Sequence, residues 1–143
     1  MRKIVIVNTS PLFYLHRLGY LHLLQKLYNG IVIPSAVANE LEEGKRLGED
    51  VPQIVPDLGQ GEAEVLALGC ENKNSLLIID DGLARKIAKL YTFRITGTAG
   101  VLLKAKQEKH ISEIKPVLKK LKDVGFYLSD NLISDILKVA GED

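Results

Sequence analysis

The sequence has 143 residues, of which 46% are hydrophobic and 26% are charged, a size and composition typical of one globular domain. We expect residues 1–143 to form a single domain whose core needs neither a disulfide nor a structural metal. The lone cysteine, Cys70, cannot form an internal disulfide. No apolar run approaches the roughly 20 residues of a membrane-spanning helix, so an integral membrane protein is excluded and we expect a cytoplasmic one.

The net charge of +1 neither indicates nor excludes nucleic-acid binding, but the charges are unevenly distributed. Between Ala36 and Glu64 there are eight acids and two bases, whereas between Val101 and Asp123 there are seven lysines and three acids. An acidic segment that faces a basic one can hold a cation and a polyanion. Two solvated helix faces explain the same counts equally well.

Four short apolar runs predict β-strands, each followed by a helical pattern. The strands are predicted at 4–7, 31–34, 76–79 and 93–96. The first helix is predicted at 12–28, with a break at Gly19, and the second runs from Ser35, as its N-cap, to about 47. Further helices are predicted at 62–71, 83–91, 98–107, 114–122 and 131–139. Ser129 is predicted to cap the last of them. Continuous aliphatic strands that alternate with helices predict an α/β fold with a parallel sheet covered on both faces.

Polar and acidic residues follow these strands, at the sheet edge where open α/β folds bind their ligands. Asn8 follows the first strand, Asp80 and Asp81 follow the third, and Glu40 lies on the helix after the second. Glu62 begins the helix that leads to the third strand. Converging carboxylates repel one another unless a cation lies between them, and hard oxygen ligands suit Mg²⁺ or Mn²⁺. Such a site supports phosphoryl transfer.

Each acid also has an ordinary structural interpretation. Asp80 or Asp81 is suited to cap the helix that begins near residue 83, Glu62 and Glu64 favour a helix N-terminus, and Glu40 is one of three acids on its helix. A phosphoacceptor receiver domain also has an acidic crevice on a parallel sheet, but it expects an acid where Asn8 stands.

Several motifs together resemble the PIN domain family, in the branch related to Vap-type toxins. They are Val7-Asn8-Thr9-Ser10-Pro11-Leu12, Ile33-Pro34 with Glu40-Leu41, Gly61-Glu62-Ala63-Glu64, Leu77-Ile78-Ile79-Asp80-Asp81 with Arg85 and Ala88, and Thr96-Gly97-Thr98. The resemblance implies a three-layer α/β/α sandwich around a parallel sheet and a Mg²⁺- or Mn²⁺-dependent endoribonuclease that cleaves RNA. It also implies a homodimer and, for a toxin, an antitoxin partner.

The resemblance assigns catalytic and metal-binding roles to Asn8, Glu40, Glu62 and Asp81, with Asp80 as a neighbouring metal ligand. Glu64 lies about 200° from Glu62 around a helix, so both cannot face the crevice, and Glu62 is chosen because it is nearer the helix start. The hydroxyls of Thr9, Ser10 and Thr98 are expected to hold site groups by hydrogen bonds. The family usually has aspartate where this chain has Asn8, which leaves a catalytically weak RNA-binding or regulatory protein-binding module as the alternative function.

Overall fold

A parallel four-stranded sheet forms the centre of the fold in a computed structural model that describes residues 4–28, 30–48, 75–80, 82–90 and 94–143. Its strands are β1 (Val5–Val7), β2 (Ile31–Val32), β3 (Leu76–Ile78) and β4 (Arg94–Thr96), in the order β2-β1-β3-β4. Each lies within a predicted strand. Strand β2 is shorter than predicted because Pro34, which has no N–H to donate, is already the N-cap of the next helix.

Side chains alternate between the two faces of the sheet, and both faces are buried. Val5 and Val7 of β1 and Ile78 of β3 face a large apolar cluster, whereas Ile6 and Leu77 face a smaller one. Ile6 and Leu77 are fully shielded from solvent. Because both faces are covered, the sheet is the middle layer of three.

The helices of the described ranges are α1 (Thr9–Leu18), α2 (Leu23–Leu27), α3 (Ser35–Arg46), α4 (Gly82–Leu90), α5 (Thr98–Gln107), α6 (Lys115–Asp123) and α7 (Asp130–Ala140). The predicted break at Gly19 is confirmed, since this residue has a φ of 79° and ends α1. The predicted cap at Ser129 is also confirmed: its side chain accepts a hydrogen bond from the Leu132 N–H.

At two helices, α1 and α3, the residue that caps the start differs from the prediction. Helix α1 begins at Thr9 rather than Leu12, because Asn8 has the extended backbone of an N-cap and Pro11 is tolerated in a first helical turn. Ser35 is the first residue of α3 rather than its N-cap, a position that Pro34 takes. The predicted helix over 62–71 lies outside the described residues.

The chain order explains how helices cover both faces of the sheet. Helices α1 and α2 connect β1 to β2, whereas α4 connects β3 to β4 in the opposite direction across the sheet. Right-handed crossovers place these two connections on opposite faces. The fold is therefore a three-layer α/β/α sandwich. Within the described ranges, no helix is long and apolar enough to cross a membrane.

Candidate functional site

Asp80 lies directly beyond β3 and accepts three hydrogen bonds from residues distant in sequence. The Ser10 hydroxyl donates to Oδ2 at 2.8 Å, the Thr98 hydroxyl donates to the same oxygen at 2.6 Å, and the Thr98 N–H donates to Oδ1 at 2.8 Å. Ser10 follows β1, and Thr98 follows β4. The carboxylate therefore ties together the carboxyl ends of three neighbouring strands.

This arrangement settles part of the capping question that the sequence left open. Thr98 is the first residue of α5, so Asp80 satisfies an N–H at the start of α5. A negative charge is stabilised there by the partial positive charge of a helix N-terminus. Asp80 thus caps α5, the helix that follows β4, whereas the sequence suggested a cap for the helix that begins near residue 83.

Gly97 makes the close approach of Asp80 possible. Its φ of −126° is open to any residue, so backbone conformation does not require glycine here. A Cβ at this position would lie 2.6 Å from Asp80 Oδ1 and 3.2 Å from Arg85 Nη1. Arg85 in turn donates from Nη1 to the Ile79 carbonyl at 2.9 Å, which fixes α4 against the end of β3.

Glu40 is held at the same edge of the sheet by the residue next to Ser10. The Thr9 hydroxyl donates to Glu40 Oε2 at 2.9 Å, and Glu40 itself is exposed on α3. Thr9 and Ser10 are consecutive residues at the start of α1. They therefore contact two predicted site acids, Glu40 on α3 and Asp80 after β3. The expected hydrogen bonds from Thr9, Ser10 and Thr98 are confirmed for these two acids.

Asn8 occupies the N-cap of α1, yet its side chain makes no capping hydrogen bond. Asparagine is among the best N-cap residues, so the amide normally turns back onto its own helix. Its backbone N–H donates to the Ile78 carbonyl at 3.0 Å, which places Asn8 at the carboxyl end of β1 beside β3. The backbone of Asn8 is thus held at the sheet edge, and its half-buried side chain does not cap α1.

The structure brings Asn8, Glu40 and Asp80 to one edge of the sheet. Glu62 and Asp81, the other two predicted ligands, lie outside the described residues, as do Glu64 and Cys70. No three His, Cys, Asp or Glu side chains of the described part form a group that could hold a metal ion. The three placed side chains nonetheless offer only oxygen ligands, which is the chemistry that Mg²⁺ and Mn²⁺ prefer.

The predicted lysine-rich region divides into engaged and exposed side chains. Lys106 contacts Glu142 at 3.2 Å and donates to the Ser112 carbonyl, and Lys104 lies 4.4 Å from the centre of the Tyr28 ring. The lysines of α6 at positions 115, 119, 120 and 122 are exposed. These four lysines, together with the exposed Lys109, therefore make up the part of the region that presents its positive charges to solvent.

Sequence reasoning missed the roles of Gly97 and Arg85, which act through close packing rather than through a charge at the site. A signal was present, since a glycine in or next to a strand often marks a place where another group approaches closely. The sequence could not show which group approaches, because Asp80 and Gly97 are separated by a whole helix.

Comparison with known families gives one match. A family model described as a PIN domain matches residues 4–56 and 47–142 of the chain. Searches of curated proteins and of solved structures gave no significant match. Because the matched segments span almost the entire sequence, the chain belongs to the PIN domain family.

Proposed function

We propose that this protein is a metal-dependent endoribonuclease. It cleaves RNA phosphodiesters at the edge of the sheet where Asn8, Glu40 and Asp80 lie. PIN domains are generally nucleases. The observation that carries the proposal is the pair of adjacent hydrogen bonds from Thr9 to Glu40 and from Ser10 to Asp80. These hydrogen bonds hold Glu40 and Asp80, which belong to separate elements, at the edge of the sheet where Asn8 also lies. The side chain of Asn8 does not cap α1.

The residues divide into ligands and a positioning group. Asp80 Oδ2 already accepts two hydrogen bonds and Oδ1 accepts one, so we assign Asp80 to positioning and the adjacent Asp81 to metal binding. Glu40 and Asn8 supply further oxygens, and Glu62 completes the set. These oxygens would hold Mg²⁺ or Mn²⁺, which would supply activation of water and stabilisation of the leaving oxygen of the phosphodiester. Thr9 holds one carboxylate oxygen of Glu40 by a hydrogen bond, so we assign the other oxygen to metal binding.

The biological role that we propose is that of a toxin, with an antitoxin protein as partner and a homodimer as the working form. The proposal rests on the resemblance of the five motifs, taken together, to the branch of the family that is related to Vap-type toxins. Expression of the wild-type chain in a bacterial host should arrest growth, and the Asp81→Asn variant should not. Equal growth of both strains at equal protein levels would contradict the toxin role without touching the nuclease proposal.

A second function is favoured by one specific observation, the amide at position 8. A neutral amide binds Mg²⁺ more weakly than a carboxylate and does less to acidify bound water. A chain with this substitution can serve as an RNA-binding or regulatory protein-binding module with little cleavage. It would bind RNA and show no metal-dependent product.

The deciding experiment is cleavage of labelled single-stranded RNA with Mn²⁺, with Mg²⁺ and with a chelator. We expect products only with a metal ion and at least a hundredfold loss of rate, on the order of a lost catalytic group, in Asp81→Asn and Glu40→Gln. Asp135→Asn, an exposed aspartate on α7, is the matched control and should cleave at the wild-type rate. RNA binding without cleavage in the wild type would establish the second function instead.

A further inference from the structure

A pocket of about 470 Å³ opens beside the candidate site, between β4, α5, α7 and the segment that precedes α7. One end is polar and contains Asp80, Arg85 and Thr96. The remaining wall is apolar. Its main side chains are Ile95, Leu103, Phe126, Leu128, Leu132 and Ile136. This volume is within the range of about 300–1,000 Å³ that is typical of small-molecule sites.

The pocket and the candidate site share a boundary. Asp80 and Gly97 line the pocket, and Asp80 accepts the hydrogen bond from Ser10 at the end of β1. A polymer that passes over the carboxyl ends of β1 and β3 can therefore place a neighbouring unit in this pocket. The Asp80 oxygens are occupied by Ser10 and Thr98, which reduces their repulsion of an anionic chain.

Tyr127 stands at the rim of the pocket with 85% of its surface exposed. Leu132 on the same rim is 44% exposed. The adjacent Phe126 is anchored edge-to-face against Tyr14, with ring centroids 4.9 Å apart, so the start of this segment is held in place. An exposed aromatic ring beside an apolar wall provides a face on which a planar group can stack.

Arg85 places a positive charge at the polar end of the pocket. In the described parts of α4 and β4 every charged side chain is basic. These side chains are Arg85, which lines the pocket, and Lys86, Lys89 and Arg94, which are exposed. The positive charge of Arg85 attracts a phosphate, while the rest of the pocket suits an apolar, planar group.

We propose that the pocket binds one unpaired nucleobase of the RNA whose backbone crosses the candidate site. The inference rests on the proposed function and adds a substrate requirement to it. The base stacks on Tyr127 against the apolar wall, and Arg85 contacts the adjoining phosphate. A base inside a duplex has both faces covered by its neighbours and cannot enter, so the pocket selects single-stranded RNA.

The test measures binding of a short fluorescent oligoribonucleotide of mixed sequence, in chelator, by anisotropy. We expect Tyr127→Ala to weaken binding of the single strand about tenfold, and Tyr127→Phe, which keeps the ring, to bind as the wild type does. Val139→Ala is the matched control, because Val139 is an exposed apolar residue of α7 outside this pocket, and it should leave binding unchanged. The same strand annealed into a duplex should bind more weakly and should not respond to Tyr127→Ala.

The outcomes separate this inference from the nuclease proposal. If Tyr127→Ala binds the single strand as tightly as the wild type, the inference is overturned, whether or not the wild type cleaves RNA. If Tyr127→Ala weakens binding in a chain that never cleaves, the pocket assignment stands and the nuclease proposal fails. If Tyr127→Ala instead changes only the sedimentation of the protein, the pocket is a protein interface and the inference is wrong.

Discussion

Thr98 donates two hydrogen bonds to Asp80, one from its backbone N–H to Oδ1 and one from its hydroxyl to Oδ2. The two residues follow adjacent parallel strands, whose carboxyl ends meet at the same edge of the sheet. Thr98 is fully buried, so its hydroxyl has no water as a substitute partner. This pair therefore fixes the start of α5 against β3 in addition to holding the carboxylate.

The first prediction concerns that hydroxyl. Thr98→Val keeps the shape of the side chain and removes one of three hydrogen bonds to a charged group, so we expect a loss of about 1–3 kcal/mol in the free energy of unfolding. Thr9→Val, whose partner Glu40 is exposed, should lose no more than about 1 kcal/mol. Urea titration of both variants measures the difference. If both variants lost the same free energy of unfolding, burial of the contact between Thr98 and Asp80 would not strengthen it.

The second prediction concerns Gly97. Gly97→Ala forces a Cβ to within 2.6 Å of Asp80 Oδ1, so Asp80 or α5 must shift, and we expect destabilisation of about 1–3 kcal/mol. Gly82→Ala is the matched control, because the residue is helical and, apart from its own helix, no atom of the described residues lies within 4 Å of the added Cβ. That variant should gain up to about 1 kcal/mol. Thermal unfolding that moved in the same direction for both variants would contradict this account.

The elements of the fold could be predicted because their signals are local. Four aliphatic runs marked the strands, and the spacing of apolar residues marked helices such as α5, whose bounds agree with the prediction. The starts of α1 and α3 were displaced because a cap is chosen by backbone conformation, which Asn8 and Pro34 adopt, and not by residue preference alone.

The partners of the site residues could not be predicted in the same way. Parallel topology placed Asn8 and Asp80 at one edge, since strand ends of a parallel sheet lie together. The choice of Thr98 and Ser10 as partners of Asp80 depends on side-chain distances across three strands, which no local pattern encodes. Glu62 and Asp81 stay predictions, because they lie outside the described residues.

The third prediction is a pH dependence of stability that depends on Glu142. Its carboxylate accepts the N–H of Ile114 at 2.7 Å and of Lys115 at 3.1 Å, at the start of α6. The Ile114 hydrogen bond is the main cause that holds the pKa of Glu142 below its usual 4.5, and the Lys115 and Lys106 contacts act in the same direction against partial burial. Because the folded pKa is lowered, this contribution to stability is complete above pH 4.5 and is lost as pH falls through the folded value.

Glu142→Gln should therefore cost about 1 kcal/mol at neutral pH, and the gap to the wild type should close in acid. Thermal unfolding across this pH range checks the sign. Glu108→Gln, which loses a 3.8 Å surface contact with Lys104, should show almost no difference in stability from the wild type at any pH in this range. If the difference in stability between Glu142→Gln and the wild type widened in acid, the lowered pKa assigned to Glu142 would be wrong.

The fourth prediction concerns the exposed lysines of α6. Replacing Lys119, Lys120 and Lys122 by glutamine should weaken RNA binding and lower the slope of log affinity against log salt by about two, if each neutralises a phosphate of a single strand. Glutamine at Lys26, Lys45 and Lys138, which are exposed on other helices, provides a control with the same change in net charge. If both triple variants had the same slope, the lysines of α6 would affect RNA binding only through the net charge of the protein.

The fifth prediction is that Asn8 limits catalysis rather than stability. A carboxylate at position 8 adds negative charge to a set of oxygen ligands, so Asn8→Asp should tighten Mn²⁺ binding and raise the rate of RNA cleavage. The added repulsion in the metal-free protein should leave the free energy of unfolding equal or slightly lower, because the Asn8 side chain makes no capping bond to lose. Calorimetric Mn²⁺ titration, RNA cleavage and urea unfolding of both proteins decide it. If metal affinity and rate are the same in the two proteins, Asn8 is not a ligand, and the site proposed around Glu40 and Asp81 loses its fourth member.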